Sequence, residues 1–176
     1  MKKLLLLLGS MLIIGGCENQ PDNESKFTIN INDYAETVAF IADNFETESV
    51  PQRTSTEGYL RTYLEHRLSH FITIYTNGRN QVAYIEFNGI SAEQVKTVLN
   101  EIRIPEDNAD FNLMMDDPNE YERINKVRSL EYLSNDDIGI FLIALDQETA
   151  EALGYSDIYN LHVFYNLNVY EDFINE

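Results

Sequence analysis

Two β-rich runs that meet at Asn77-Gly78 constrain this chain more than any other stretch. Phe71-Ile72-Thr73-Ile74-Tyr75 comes before the pair and Val82-Ala83-Tyr84-Ile85-Glu86-Phe87 after it. Asn-Gly between such runs is a strong hairpin signal, and a two-residue or a four-residue turn fits the spacing. Side chains alternate along a strand, so Ile72, Ile74, Ala83, Ile85 and Phe87 share one face. Phe71, Tyr75, Val82 and Tyr84 share the other. With both faces apolar, the hairpin belongs at the centre of a sheet covered on both sides.

The rest of the chain supplies partners for that sheet. Phe27 to Ile31 alternates as a half-buried strand does. Asp33 with Glu36, and Ser91 with Gln94, form capping-box patterns. Helices follow each, with Tyr34, Val38, Ile41 and Phe45 on one, and Val95, Val98, Leu99 and Ile102 on the other. Leu60, Leu64 and Leu68 suggest a further helix before the hairpin. Glu106 to Asp116 reads as an acidic loop. Asp117-Pro118-Asn119-Glu120 starts a helix, with Tyr121, Ile124, Val127 and Leu130 as its apolar stripe. Asn135-Asp136-Asp137 is a turn, and Ile138 to Leu145 is a strand buried on both faces. Asp146 caps a short helix that ends at Gly154. A last strand spans Leu161 to Val169, with Tyr170 to Glu176 as a tail. The strand–helix pair at Ile85-Glu86-Phe87 and Ser91 is echoed at Phe141-Leu142-Ile143 and Asp146. The expected class is α+β: a mixed or antiparallel sheet of four to five strands around a central 71–87 hairpin, packed against several helices.

The first seventeen residues are of another kind. Met1-Lys2-Lys3 is basic, Leu4 to Ile14 is nearly all hydrocarbon, and Gly15-Gly16-Cys17 closes the stretch. The apolar run is shorter than the roughly 20 residues a membrane-spanning helix needs, and the pattern is that of a secretory signal. Ile14-Gly15-Gly16-Cys17 resembles the lipobox of bacterial lipoproteins, with Ile14 where Leu is usual. The resemblance implies cleavage after Gly16 and a diacylglyceryl group on the Cys17 thiol. Two acyl chains anchor a protein stably where one does not. The implied organisation is a cleaved signal peptide over 1–16, a disordered acidic tether over 17–26 and a single globular domain over 27–176.

Charge limits the partners. The chain has 12 basic and 30 acidic residues. Loss of Lys2 and Lys3 with the leader leaves 10 − 30 = −20. Such a domain is repelled by anionic headgroups and by nucleic acid, whose affinity rests on Lys and Arg at phosphates. Cys17 is the one cysteine, so the domain beyond it has no disulfide, thiolate nucleophile or cysteine metal site.

Few residues point to chemistry. His66 and His70 stand four apart, a spacing that on a helix would aim both rings the same way. The glutamate of a zinc-protease motif is missing, with Arg67 in its place. The pair is a weak metal candidate. The acidic runs at Glu106–Asp110 and Asp116-Asp117 lack the ligand spacing of a calcium loop. No nucleophile elbow, phosphate loop or dinucleotide fingerprint is present, and no cofactor is expected. Tyr155, Tyr159, Tyr165 and Tyr170 crowd the C-terminal end. Tyrosine suits interfaces and strands alike; these four are the candidate interaction residues.

The expected function is that of a membrane-anchored, extracytoplasmic lipoprotein acting as a non-catalytic binding module. Its lipid on Cys17 engages the membrane and its acidic domain meets a protein with a basic surface. The alternative is a small envelope hydrolase that uses carboxylates, alone or around a bound cation. Two convergent desolvated carboxylates would mark the hydrolase, and an exposed tyrosine-rich patch the binder.

Overall fold

The computed structural model describes residues 33–48, 53–54 and 63–175. The expected leader with Cys17, the expected tether, the expected 27–31 strand and Leu60 lie outside the described residues. In chain order the elements are α1 (Tyr34–Asn44), β1 (Arg53–Thr54), β2 (Leu64–Arg67), β3 (Ile72–Thr76), β4 (Val82–Ile90), α2 (Ala92–Glu101), α3 (Ala109–Asp116), α4 (Pro118–Asn125), β5 (Ser129–Leu133), β6 (Gly139–Ala144), α5 (Gln147–Ala152), β7 (Tyr159–Phe164) and α6 (Leu167–Ile174). The strands form one sheet in the order β1-β2-β3-β4-β7-β6-β5, every neighbouring pair antiparallel. The fold is α+β as expected. Its sheet is larger than the four to five strands expected, with six full strands and the two-residue β1.

The 71–87 hairpin holds the centre, with β4 in the middle of the sheet. Ile72 pairs with Phe87 and Ile74 with Ile85, and these four enter the larger core. Tyr75 pairs with Tyr84 on the opposite face. A register shift between Tyr75 and Thr76 places Val82 opposite Thr76. Val82 thereby joins Ile72 and Ile74 in the larger core, on the face that strict alternation would have given to Ala83. The loop is neither of the two expected. Asn77 pairs with Gln81 through its backbone N–H (3.0 Å), and Asn80 closes the turn on Asn77 O (3.0 Å) with φ 58°. Three residues thus lie between the paired ends, and the left-handed position falls to Asn80 and not Gly78. The Asn77 side-chain oxygen accepts from Arg79 N (2.9 Å) and Gln81 N (3.1 Å), which fixes this form.

The second hairpin, β5–β6, repeats the device. Ser134 N–H reaches Ile138 O (3.0 Å), Asp137 takes φ 58°, and Ser134 Oγ accepts from Asp136 N (3.3 Å) and Ile138 N (3.0 Å). Each hairpin leads into a helix, and each helix closes on a left-handed residue: Arg103 after α2 and Gly154 after α5. The echo read at Ser91 and Asp146 therefore extends to whole hairpin–helix units.

Local caps set the helix starts. The Asp33 carboxylate accepts from Ala35 N (2.8 Å) and Glu36 N (3.2 Å). Ser91 and Gln94 complete a reciprocal capping box. Asp117 accepts from Glu120 N (3.0 Å) with Pro118 at the first turn, and Asp146 accepts from Thr149 N (2.8 Å). These are the sites at which helix N–H groups lack intrahelical partners.

Four expectations need correction. Leu64 and Leu68 do not lie on a helix: Leu64–Arg67 is strand β2, paired with Thr73–Thr76. Leucines spaced by four gave a helical period, but ladder bonds to β3 outweigh that weak local preference. The acidic stretch 106–116 contains helix α3, started by Asn108 and buried through Phe111, Met114 and Met115. The stripe running from Tyr121 to Leu130 is broken, because Lys126 turns left-handed (φ 68°) after α4 and Leu130 belongs to β5. The last strand ends at Phe164, and α6 follows with Asn166 as its cap.

The sheet is covered on both faces. Helices α1 to α4 pack Ile41, Val95, Val98, Leu99, Phe111 and Met114, among others, against Ile74, Ile85, Ile140, Leu142, Leu161 and Val163. On the other face α6 lays Val169 and Tyr170 over Tyr75, Tyr84 and Phe164. Those three rings stack across β3, β4 and β7 at 5.0 and 4.6 Å.

Candidate interaction surface

The two histidines of the weak metal pair do not meet as ligands. His66 is buried in β2, its Nε2 2.7 Å from the Thr76 hydroxyl and its ring 4.4 Å from that of Tyr34. Burial lowers its pKa from the ordinary value. His70 is exposed beyond the strand, 3.6 Å from Glu48. A strand turns residues four apart to one side only while it lasts, and β2 ends at Arg67. Among the described residues no group of three His, Cys, Asp or Glu is placed to hold a metal ion. Asp116, in the acidic run suspected of cation binding, stands 3.5 Å from Lys96, and Asp117 is used as the cap of α4.

The C-terminal tyrosines face inward and are divided between the two faces. Tyr159 is buried in the larger core, and its hydroxyl donates to the carbonyls of Met115 (2.9 Å) and Met114 (3.2 Å) at the end of α3. Tyr165 packs at the edge of that core, where burial drives its pKa upward. Tyr170 lies in the smaller core against Phe164, with ring centroids 5.3 Å apart. Tyr155 is half-buried, its ring 5.9 Å from Phe71. Their shared role is packing, and they form no common exposed patch.

The carboxylates take the opposite course. Among the described residues Glu65 is the one acid that is buried, and Arg67 Nε closes on it at 2.6 Å. The other acids are exposed or half-exposed around the molecule. Clefts among the described residues indent this shell. One, of about 330 Å³, lies between α2 and α3 and is lined by Lys96, Leu99, Ile104, Phe111 and Met115. Another, of about 310 Å³, lies where the end of α1 meets β4, and is lined by Phe45, Phe71, Asn88, Gln94, Glu46 and Asp157. Glu46 and Asp157 are both exposed.

The surface has one further feature that the sequence reading passed over. Leu133 is 51 % exposed on strand β5, and Ile124 and Val127 just upstream are 53 % and 48 % exposed. The alternation in Ser129-Leu130-Glu131-Tyr132-Leu133 was the available signal, masked by its apparent continuity with the α4 stripe. Comparison with protein-family models, curated proteins and solved structures gives no match.

Proposed function

We propose that this protein is a lipid-anchored binding module of a bacterial cell envelope, held to the membrane on its extracytoplasmic side through Cys17, whose acidic domain engages a protein with a basic face. The observation that carries the reading is the disposition of charge. Nearly all carboxylates among the described residues face solvent, and the buried one is ion-paired. An outward field of one sign attracts cationic surfaces and accelerates their encounter. The lipobox-like Ile14-Gly15-Gly16-Cys17 supports the anchor, and the absence of a catalytic signature in the sequence supports binding over turnover.

Two measurements test it. Cys17→Ser should abolish partitioning into the detergent phase, and equal partitioning of variant and natural protein would refute the anchor. Crosslinking in intact cells should yield a basic partner whose association slows with salt, since exposed charges are screened beyond about 8 Å at physiological ionic strength. The off-rate should change less. Salt-independent association would refute the charge-led reading.

A further inference from the structure

Strand β5 lies at one end of the described sheet. Among the described residues the sheet ends there: β5 pairs with β6 and no other described strand, in register without a shift from Ser129–Ile143 to Leu133–Gly139. The bonds that flank the ladder fix which residues face β6. Ser134 N–H reaches Ile138 O, and Ala144 N–H reaches Arg128 O (2.9 Å). Antiparallel bonding alternates along a strand. Leu130 and Tyr132 are therefore the residues of β5 bonded to β6, while Ser129, Glu131 and Leu133 turn their N–H and C=O groups outward. The Ser129 carbonyl accepts from the Tyr121 hydroxyl at 3.3 Å. By that alternation the N–H groups of Glu131 and Leu133 point away from β6.

Proteins usually guard such an edge with proline, lysine, a bulge or a very short strand. At the other end of the described sheet stands β1, Arg53–Thr54. β5 has five residues, no proline and no bulge, and its one charged side chain is the exposed Glu131. It carries exposed Leu133, with exposed Val127 and Ile124 immediately before it.

We infer that the free edge of β5 is a docking site at which an extended, basic segment of a partner protein adds as a further antiparallel strand. The inference deepens the binding reading and rests on it. Main-chain bonds to Glu131 and Leu133 supply the attachment, and alternate side chains supply selectivity. Directly opposed side chains on an antiparallel pair lie about 5 Å apart. A cation facing Glu131 and an apolar residue facing Leu133 therefore suit the edge, and an acidic segment does not. A second copy of this chain fits poorly. Two domains of formal charge −18 repel each other, and a two-fold pairing centred on Glu131 would oppose two glutamates.

The test uses the full chain in detergent micelles and two synthetic peptides, one alternating lysine with valine and one alternating glutamate with valine. The lysine peptide, at ten times its Kd, should slow amide exchange of Glu131 and Leu133 about tenfold, as occupancy requires, and the glutamate peptide should not. Glu131→Lys, a change at an exposed position, should reverse the preference. Equal protection by both peptides, protection elsewhere than β5, or a homodimer dispersed by Leu133→Lys would overturn the proposal. A basic partner that crosslinks in cells equally well to natural protein and Leu133→Lys would overturn this edge alone and leave the binding reading standing. Salt-independent association of the natural protein would overturn both.

Discussion

The Tyr84 hydroxyl and Nδ1 of His162 stand 2.6 Å apart on neighbouring strands β4 and β7, beneath α6. Phe173 of α6 covers the imidazole at 5.1 Å between centroids, and Phe141 approaches edge-on at 6.1 Å. In the neutral ring with its proton on Nε2, the hydroxyl donates to Nδ1. Burial lowers the His162 pKa to about 4.

A pH dependence follows. The unfolded chain protonates this histidine near pH 6.5, whereas the folded protein does so only near 4. Between those values the unfolded chain binds the extra proton, so stability falls as pH drops through the window, and this contribution levels off below it. The difference amounts to about 3 kcal/mol. Surface carboxylates titrate over part of the same range, so the comparison is with a variant. The double variant Tyr84→Phe/His162→Phe removes both partners of the bond without stranding either. Urea unfolding at pH 7 and pH 4.5 should show a smaller loss of stability for the variant than for the natural protein.

At Gly139 a side chain of α6 packs directly on the sheet. A Cβ there would lie 2.6 Å from Tyr170 Cγ. Gly139→Ala should destabilise by about 1–3 kcal/mol, because the helix must shift to admit the methyl. At Gly89 a Cβ would lie 2.5 Å from Tyr155 Cβ, and the backbone is left-handed (φ 63°), so Gly89→Ala should cost at least as much. Gly78→Ala meets nothing within 4 Å and should stay within about 0.5 kcal/mol of the natural protein. Chemical denaturation of the three variants checks this order.

Tyr159 separates packing from polarity. Tyr159→Phe keeps the ring and removes its bonds to the Met114 and Met115 carbonyls, at an expected cost of about 1 kcal/mol. Tyr159→Ala also empties the core beside α3, for about 3–5 kcal/mol. Equal losses for the two substitutions would mean that the hydroxyl, and not the ring, fastens α3 to β7.

Strand β6 offers a test of sidedness. Ile140 is fully buried among Leu142, Val163 and the helices above them, whereas Ile143 is half-buried on the opposite face. Ile140→Asp should abolish folding, since an unpaired charge has no place in that core. Ile143→Asp should leave a folded protein of lower stability. Circular dichroism of the two variants decides the matter. From sequence alone both positions lie in one apolar run and read as equally buried.

What the sequence determined by itself was local. The caps at Asp33, Ser91, Asp117 and Asp146 act over three or four residues, so their side chains select helix starts whatever the remainder does. The β-branched and aromatic runs around 71–87 specify a covered hairpin, and the α+β class follows from it. Tertiary structure decided what depended on distant partners. Leu64–Arg67 became a strand because β3 offers it a ladder, and Val82 changed faces because a register shift at Tyr75/Thr76 moved it. The tyrosines gathered near the C-terminus were parted because Tyr159 leaves β7 toward the larger core, whereas Tyr170 comes from α6 onto the opposite face of the sheet. The β5 edge was hidden for the same reason. Pairing in a sheet joins residues far apart in the chain, and a single sequence carries no direct record of which backbone groups are left without a neighbour.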